Sequence, residues 1–303
     1  MPSTTSRRET HYDSHTRDRI DFFAGGATGN VGSQESSFSF DPDERLFTVY
    51  APMNFGGYDH DWADKHRIRV KVAKAVREKL SGQLGREYRN YYKQHGGDFS
   101  GFGTAVLLLD GPSDFSMRDV DFSLSGEHAD HVREVADRFE GLGEILASFH
   151  RDAEIPFLWG EYGTRIAELN RAYEPFGQLA IDQIVSYCRL DSSYFEDEAA
   201  RIHFTICPQM SHFTAYTTKI EGELHIVHGP PSGAPGPGAF FHETLHHVVG
   251  PILDGNLGLL DKSVALLPVS KQHGDMGYPE WRDVVEESFV RTLSKVLSAR
   301  ITN

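Results

Sequence analysis

The segment AFFHETLHHVVGPILD, residues 239–254, restricts the folding of this chain more than any other stretch. Phe240, Phe241, Leu245, Val248 and Val249 recur at the spacing of a helix that packs into a core. His242, Glu243, His246 and His247 sit among them. Burying such groups costs several kcal/mol each unless they share a polar partner, and a metal ion is the partner that satisfies several at once. The ten residues before the segment, GPPSGAPGPG, suit neither a helix nor a strand interior and set its start. Its end is expected near Gly250-Pro251.

His242-Glu243-Thr244-Leu245-His246 is an HExxH sequence. On a helix, residues four apart share a face, so both imidazoles can reach one ion. Glu243, one residue after the first ligand, falls where a carboxylate can stand beside a water-occupied metal position and act as general base. The pattern predicts a Zn2+ site with His242 and His246 as ligands. His247 is rotated from His246 by about 100°, which makes it a supporting or surface residue.

A third protein ligand is required, and the terminal segment PEWRDVVEESFVRTLSKVLSA offers two glutamates. Pro279 is placed to start a helix, and Trp281, Val284, Val285, Phe289, Leu293 and Val296 form its apparent apolar stripe. That periodicity slightly favours Glu286, near the stripe edge, over Glu287, which projects almost opposite it. His273, in the intervening loop KQHGDMGYPEW, is an alternative ligand. His273 and Tyr278 are also the candidates to stabilise a reaction oxyanion.

With HExxH on one helix and a glutamate on a later one, the chain resembles the gluzincin class of zinc metallopeptidases. More narrowly, FFHETLHHVVGPI followed by W-x5-ESFVR is similar to the bacterial family known as domain-of-unknown-function family 4932. In that family a glutamate four residues before an arginine follows the HExxH helix. The resemblance covers mainly residues 200–300 and implies Glu287 as the third ligand. It also implies a peptide or protein substrate, with Glu243 deprotonating the attacking water. An extended peptide would pair with a strand near Phe204–Tyr216 or Leu224–His228. Two other readings are a metal-binding or scaffolding protein without turnover and an NAD(P)-dependent oxidoreductase.

The oxidoreductase reading rests on GGATGNVG, residues 25–32, whose glycine spacing suits a dinucleotide loop. Its flanks lack the strand, helix and second strand that such a site needs. Two runs rich in acids and histidines, Tyr58–His66 and Glu127–His131, read as solvated faces.

At 303 residues the chain is long enough for one large core. Its net charge of −14 argues against nucleic acid and an anionic membrane surface as partners. No apolar stretch approaches the roughly 20 residues that span a bilayer, and the start has no apolar run suited to a signal peptide; a cytoplasmic location is expected. Cys188 and Cys207 belong to no CxxC pair and read as free thiols. Residues 1–40, rich in Ser, Thr, Gly, Arg and Asp, read as a flexible tail, and 41–303 as one domain.

Within that domain LFTVYAP, from Leu46, reads as a strand, and HRIRVKVAKAVREKLSGQL and the stretch from Glu127 to Tyr187 as helical. RIHFTICPQ and ELHIVHG, around the turn-like KIEGE, read as an antiparallel pair. The expected fold is α+β: a mainly helical, zincin-like domain with a small antiparallel sheet preceding the HExxH helix.

Overall fold

Among the described residues four short strands organise the fold: β1 (Phe38–Ser39), β2 (Arg201–Ile206), β3 (Ala215–Ile220) and β4 (Glu223–His228), in the order β1-β2-β4-β3. The structure is a computed structural model that describes residues 38–58, 65–80, 82–96, 98–112, 114–121, 127–199, 201–264 and 280–301. These all fall in one compact unit, Ser36–Asn303. The glycine segment 25–32, and both His273 and Tyr278, lie outside the described residues.

The class is α+β, but the sheet is mixed. β3 and β4 form the antiparallel hairpin, from Ala215↔His228 to Ile220↔Glu223. Glu221 and Gly222, at φ 50° and 80°, make the two-residue turn, the twist-compatible kind that needs two positive φ angles. RIHFTI, expected antiparallel to ELHIVH, instead pairs with it in parallel, Arg201↔Glu223 through Ile206↔His228. The connection 207–214 carries the chain past the position of β4 to the outer strand β3, and β4 returns between them. β1 adds in parallel to the far edge of β2. Phe38–Phe40, read as the end of a tail, therefore belong to the fold. The Phe40 ring stacks on Phe204 at 4.9 Å, and Gly177 allows that approach because a Cβ there would overlap the ring.

LFTVYAP is helical, within α1 (Glu44–Met53). Asp43 caps it by accepting from the backbone amides of Arg45 and Leu46. Every residue from Leu46 to Met53 is buried, so the short apolar run reflects burial on all sides, which periodicity alone cannot separate from a strand. A π-helical turn (Asn54–Tyr58), α2 (Arg67–Lys79), α3 (Gln83–Gln94) and α4 (Phe99–Leu107) follow. The middle is helical as expected, in α5 (Glu127–Arg138), α6 (Leu142–Asp152), the long α7 (Ile155–Cys188) and the short α8 (Tyr194–Glu198).

After the sheet come α9 (Gly238–Asp254), α10 (Leu257–Ser263) and α11 (Trp281–Ile301). α9 continues through Gly250 and Pro251 for another turn instead of ending there. One face of the sheet, Ile202, Phe204, Ile206, Leu224 and Ile226, packs with Phe240, Phe241, Leu245 and Val248 of α9 and with Val290 and Leu297 of α11. α9 is thus held between the sheet, α7 and α11. On the opposite face Tyr216, Ile220 and Val227 join a second core with α1, α4 and α5. Among the described residues no helix is long and apolar enough to cross a membrane. Cys188 and Cys207 are free, the latter buried.

Candidate metal centre

Burial of one face of α9 leaves His242 and His246 on the flank that meets α11, each about a quarter exposed at its side chain. α11 brings Glu287 to them. Its buried residues are Val284, Glu287, Val290, Ser294 and Leu297, not the stripe read from the sequence. Phe289 is 53% exposed, whereas Glu287 is only 6% exposed. Glu287 therefore lies on the packed face and not opposite it.

The three side chains converge. Nε2 of His242 and Nε2 of His246 are 3.4 Å apart. Glu287 Oε1 is 3.6 Å from His242 Nε2, and Glu287 Oε2 is 3.7 Å from His246 Nε2. Ligand atoms at zinc bonding distance on a tetrahedron are separated by about 3.4 Å. Two imidazole nitrogens and a carboxylate, one ligating atom of each within 4.8 Å of the others, could hold a single ion with one position left open, a donor set known from catalytic rather than closed structural zinc sites. Arg291, one helical turn beyond Glu287, donates to Oε1, which leaves Oε2 to meet an ion.

Glu286 takes a different position. Its Oε1 lies 2.7 Å from Nδ1 of His246. Burial acts against ionisation of Glu286, but its contacts with His246 and Arg282 prevail and hold its pKa below the usual carboxylate value. Nδ1 of His246 is therefore the donor, and Nε2 is the nitrogen turned to the centre, the arrangement by which an outer carboxylate orients a metal-binding imidazole. Arg282 Nη1 donates to Glu286 Oε2 at 2.6 Å, and its Nε and Nη2 donate to Asp254 at 2.6 and 3.0 Å. Asp254 is available because α9 extends past Pro251. The two glutamates that the sequence left in competition thus have separate places. Arg282 and Asp254 were not legible as members because their link depends on the crossing of two helices.

Glu243 is buried at 6% exposure. Desolvation is the main cause of its raised pKa, about 7; nearby His246 works against the shift and Glu287 adds to it. His242 is lowered to about 4, again chiefly by burial, with Glu287 opposing. For His246 burial lowers the pKa, but Glu286, Glu243 and Glu287 outweigh it and the net shift is upward.

His247 is buried, not at the surface. Its Nε2 is 2.9 Å from Thr217 Oγ1, and its carbonyl accepts from the Tyr194 hydroxyl. The residue after His246 is thereby tied to the outer strand β3. No protein-family model, curated protein or solved structure matches the chain.

Proposed function

We propose that the chain is a zinc-dependent metallohydrolase with a zincin-like active helix, and that it cleaves peptide bonds. The observation that carries this reading is the convergence of His242, His246 and Glu287 at 3.4–3.7 Å beside the buried carboxyl of Glu243. The resemblance to the gluzincin class and to domain-of-unknown-function family 4932 supports it at Glu287, whose partner Arg291 is the arginine of the ESFVR motif.

In this proposal His242, His246 and Glu287 hold the ion and Glu286 fixes the His246 tautomer. Zinc bound there would polarise a scissile carbonyl and acidify the attacking water. Glu243, buried beside the three ligands, would take the proton of an attacking water on its carboxylate and deliver it to the leaving amine. His273 and Tyr278 remain the proposed oxyanion donors.

The sheet narrows where an extended substrate would pair. β4 has β2 on one side and β3 on the other, so Leu224–His228 offers no edge. β3 is the outer strand among the described residues, and Thr217 on it contacts His247 of α9. A peptide added beside Ala215–Ile220 would run next to the metal-bearing helix.

The test is zinc content of protein purified without added metal, together with cleavage of a peptide mixture read by mass spectrometry. Zinc lost with His246→Ala and Glu287→Ala, and cleavage lost with Glu243→Gln, is the expected result. Protein that neither contains nor takes up zinc would sink the proposal. Zinc binding without cleavage by either wild type or Glu243→Gln would favour the metal-binding protein without turnover.

A further inference from the structure

The sheet carries a second convergence of ligating groups, on the face away from α9. β2 and β4 are parallel and in register, with His203 opposite His225 and Arg201 opposite Glu223. Because side chains alternate along a strand, His203, Glu223 and His225 emerge on the same face. The two imidazoles stack at 4.6 Å between centroids with 10° between their planes. His203 Nε2 and Glu223 Oε2 are 3.1 Å apart. One ligating atom from each of the three residues lies within 4.8 Å of the others.

We infer that His203, Glu223 and His225 form a second site for a divalent transition-metal ion such as zinc, separate from the site on α9.

Four features of the surroundings support this. His203 has an outer partner, because Ser39 Oγ of β1 lies 2.8 Å from its Nδ1. Nε2 stands on the side of Glu223, and when an ion replaces the Nε2 proton the Ser39 hydroxyl can accept from Nδ1–H, as the outer partner of a ligating histidine does. His225, in contrast, makes no hydrogen bond among the described residues, so its ring nitrogens are not committed to another protein group. Thr218 faces His225 across the β3–β4 pair, and its hydroxyl is buried without a hydrogen-bond partner. A buried hydroxyl left unsatisfied beside an uncommitted imidazole marks a polar site that the protein's own groups do not complete.

Two nearby cations are neutralised. Arg45 is bound by Asp43, with a closest contact of 2.6 Å, and Arg118 by Glu221 at 3.0 Å. Glu223 supplies negative charge for an ion, and neither of these two guanidinium groups is paired with it. Two imidazoles and a carboxylate suit zinc, cobalt, nickel or copper and do not suit calcium or magnesium, which take oxygen ligands. The ion would cross-link β2 and β4 directly. Through Ser39 and His203 it would also steady β1, the strand that brings Phe38 and Phe40 onto the core.

The two sites can be tested independently. In His246→Ala protein the α9 site is disabled, and titration with Zn2+ or Co2+ is expected to fill one remaining site per chain. That uptake should disappear when His225→Ala is added. Glu223→Gln, a change at the rim of the sheet, is expected to weaken it at least tenfold while leaving far-ultraviolet circular dichroism unchanged. Zinc should also raise the melting temperature of His246→Ala protein, and not that of the His225→Ala double variant. If His246→Ala protein takes up no more metal than the folded double variant, the second site does not exist, whatever wild type shows for the α9 site. If wild type lacks the α9 metal but His246→Ala protein still binds an ion that Glu223→Gln weakens, the proposed function fails and this inference stands.

Discussion

Nδ1 of His246 lies 2.7 Å from Glu286 Oε1, while Nε2 of the same ring lies 3.7 Å from Glu287 Oε2. Adjacent glutamates on one helix therefore engage opposite nitrogens of one imidazole. In the proposed site one would orient the ligand and the other would share the ion.

This division has separable consequences for metal affinity. Glu287→Ala removes a ligand and is expected to abolish stoichiometric zinc at micromolar concentrations. Glu286→Ala removes only the orienting carboxylate and should weaken zinc binding about 10–100-fold. Glu286→Gln, which keeps an acceptor oxygen, should weaken it less. Competition against a chelator of known affinity gives the order, and the reverse order for Ala at the two positions would exchange their roles.

Glu243 is expected to matter for turnover and not for metal content. Glu243→Gln keeps the size of the side chain but removes the proton acceptor, so zinc should stay bound while kcat falls about 10²–10⁴-fold. Comparable loss of zinc in Glu243→Gln would show instead that the carboxylate helps to hold the ion.

What was legible in the sequence follows from which signals are local. HExxH was readable because two ligands one turn apart are fixed by helix geometry alone. The third ligand depends on which face of α11 is buried, and the local pattern there misleads. Phe289 and Val296 are exposed, while Glu287 and Ser294 are buried, because α9 presents histidines to that face. The hairpin turn at Glu221-Gly222 was readable, but the strand before it was not. AYTTKI carries Thr217, Thr218 and Lys219 and lacks a continuous apolar run. The parallel pairing of β2 with β4 is a long-range choice with no local signature, and the cluster of His203, Glu223 and His225 depends on that register. The polar composition of residues 1–40 points to a start of the fold at Asp41, although Phe38 and Phe40 already anchor β1 to Phe204.

Stability should also carry a histidine signature that is independent of metal. His228, at the end of β4, is fully enclosed near Tyr173 and Phe240. Desolvation lowers its pKa from 6.5 to about 4, against a small upward effect from a hydrogen bond with the Thr214 backbone. The unfolded chain then binds a proton below about pH 6.5 that the folded chain refuses until about pH 4, so stability falls with pH across that window. The loss from this residue is about 3 kcal/mol. His228→Phe should flatten the dependence of urea unfolding free energy on pH between 6.5 and 4. An unchanged slope would mean that the folded protein accepts the proton at an ordinary pKa.

The junction of α7 with the sheet depends on Asn170, which is wholly buried. β1 covers only Ile202 and His203 of β2, so it leaves the backbone of Ile206 without a strand partner on that side. Asn170 fills the gap: its Oδ1 accepts from the Ile206 amide at 2.7 Å, and its Nδ2 donates to the Ile206 carbonyl at 3.1 Å and to the Ile166 carbonyl at 2.9 Å. One side-chain amide thus satisfies both polar groups of the last residue of β2. In Asn170→Leu, a change of similar volume, both Ile206 groups stay buried and lose this partner, at a cost of about 2–4 kcal/mol. Asn256 provides the control, since its Nδ2 also bonds a helix carbonyl, that of Ile252, but at the surface; Asn256→Ala should change stability by less than about 0.5 kcal/mol. Equal urea midpoints for Asn170→Leu and wild type would show that water or a shift of the strand end replaces the amide.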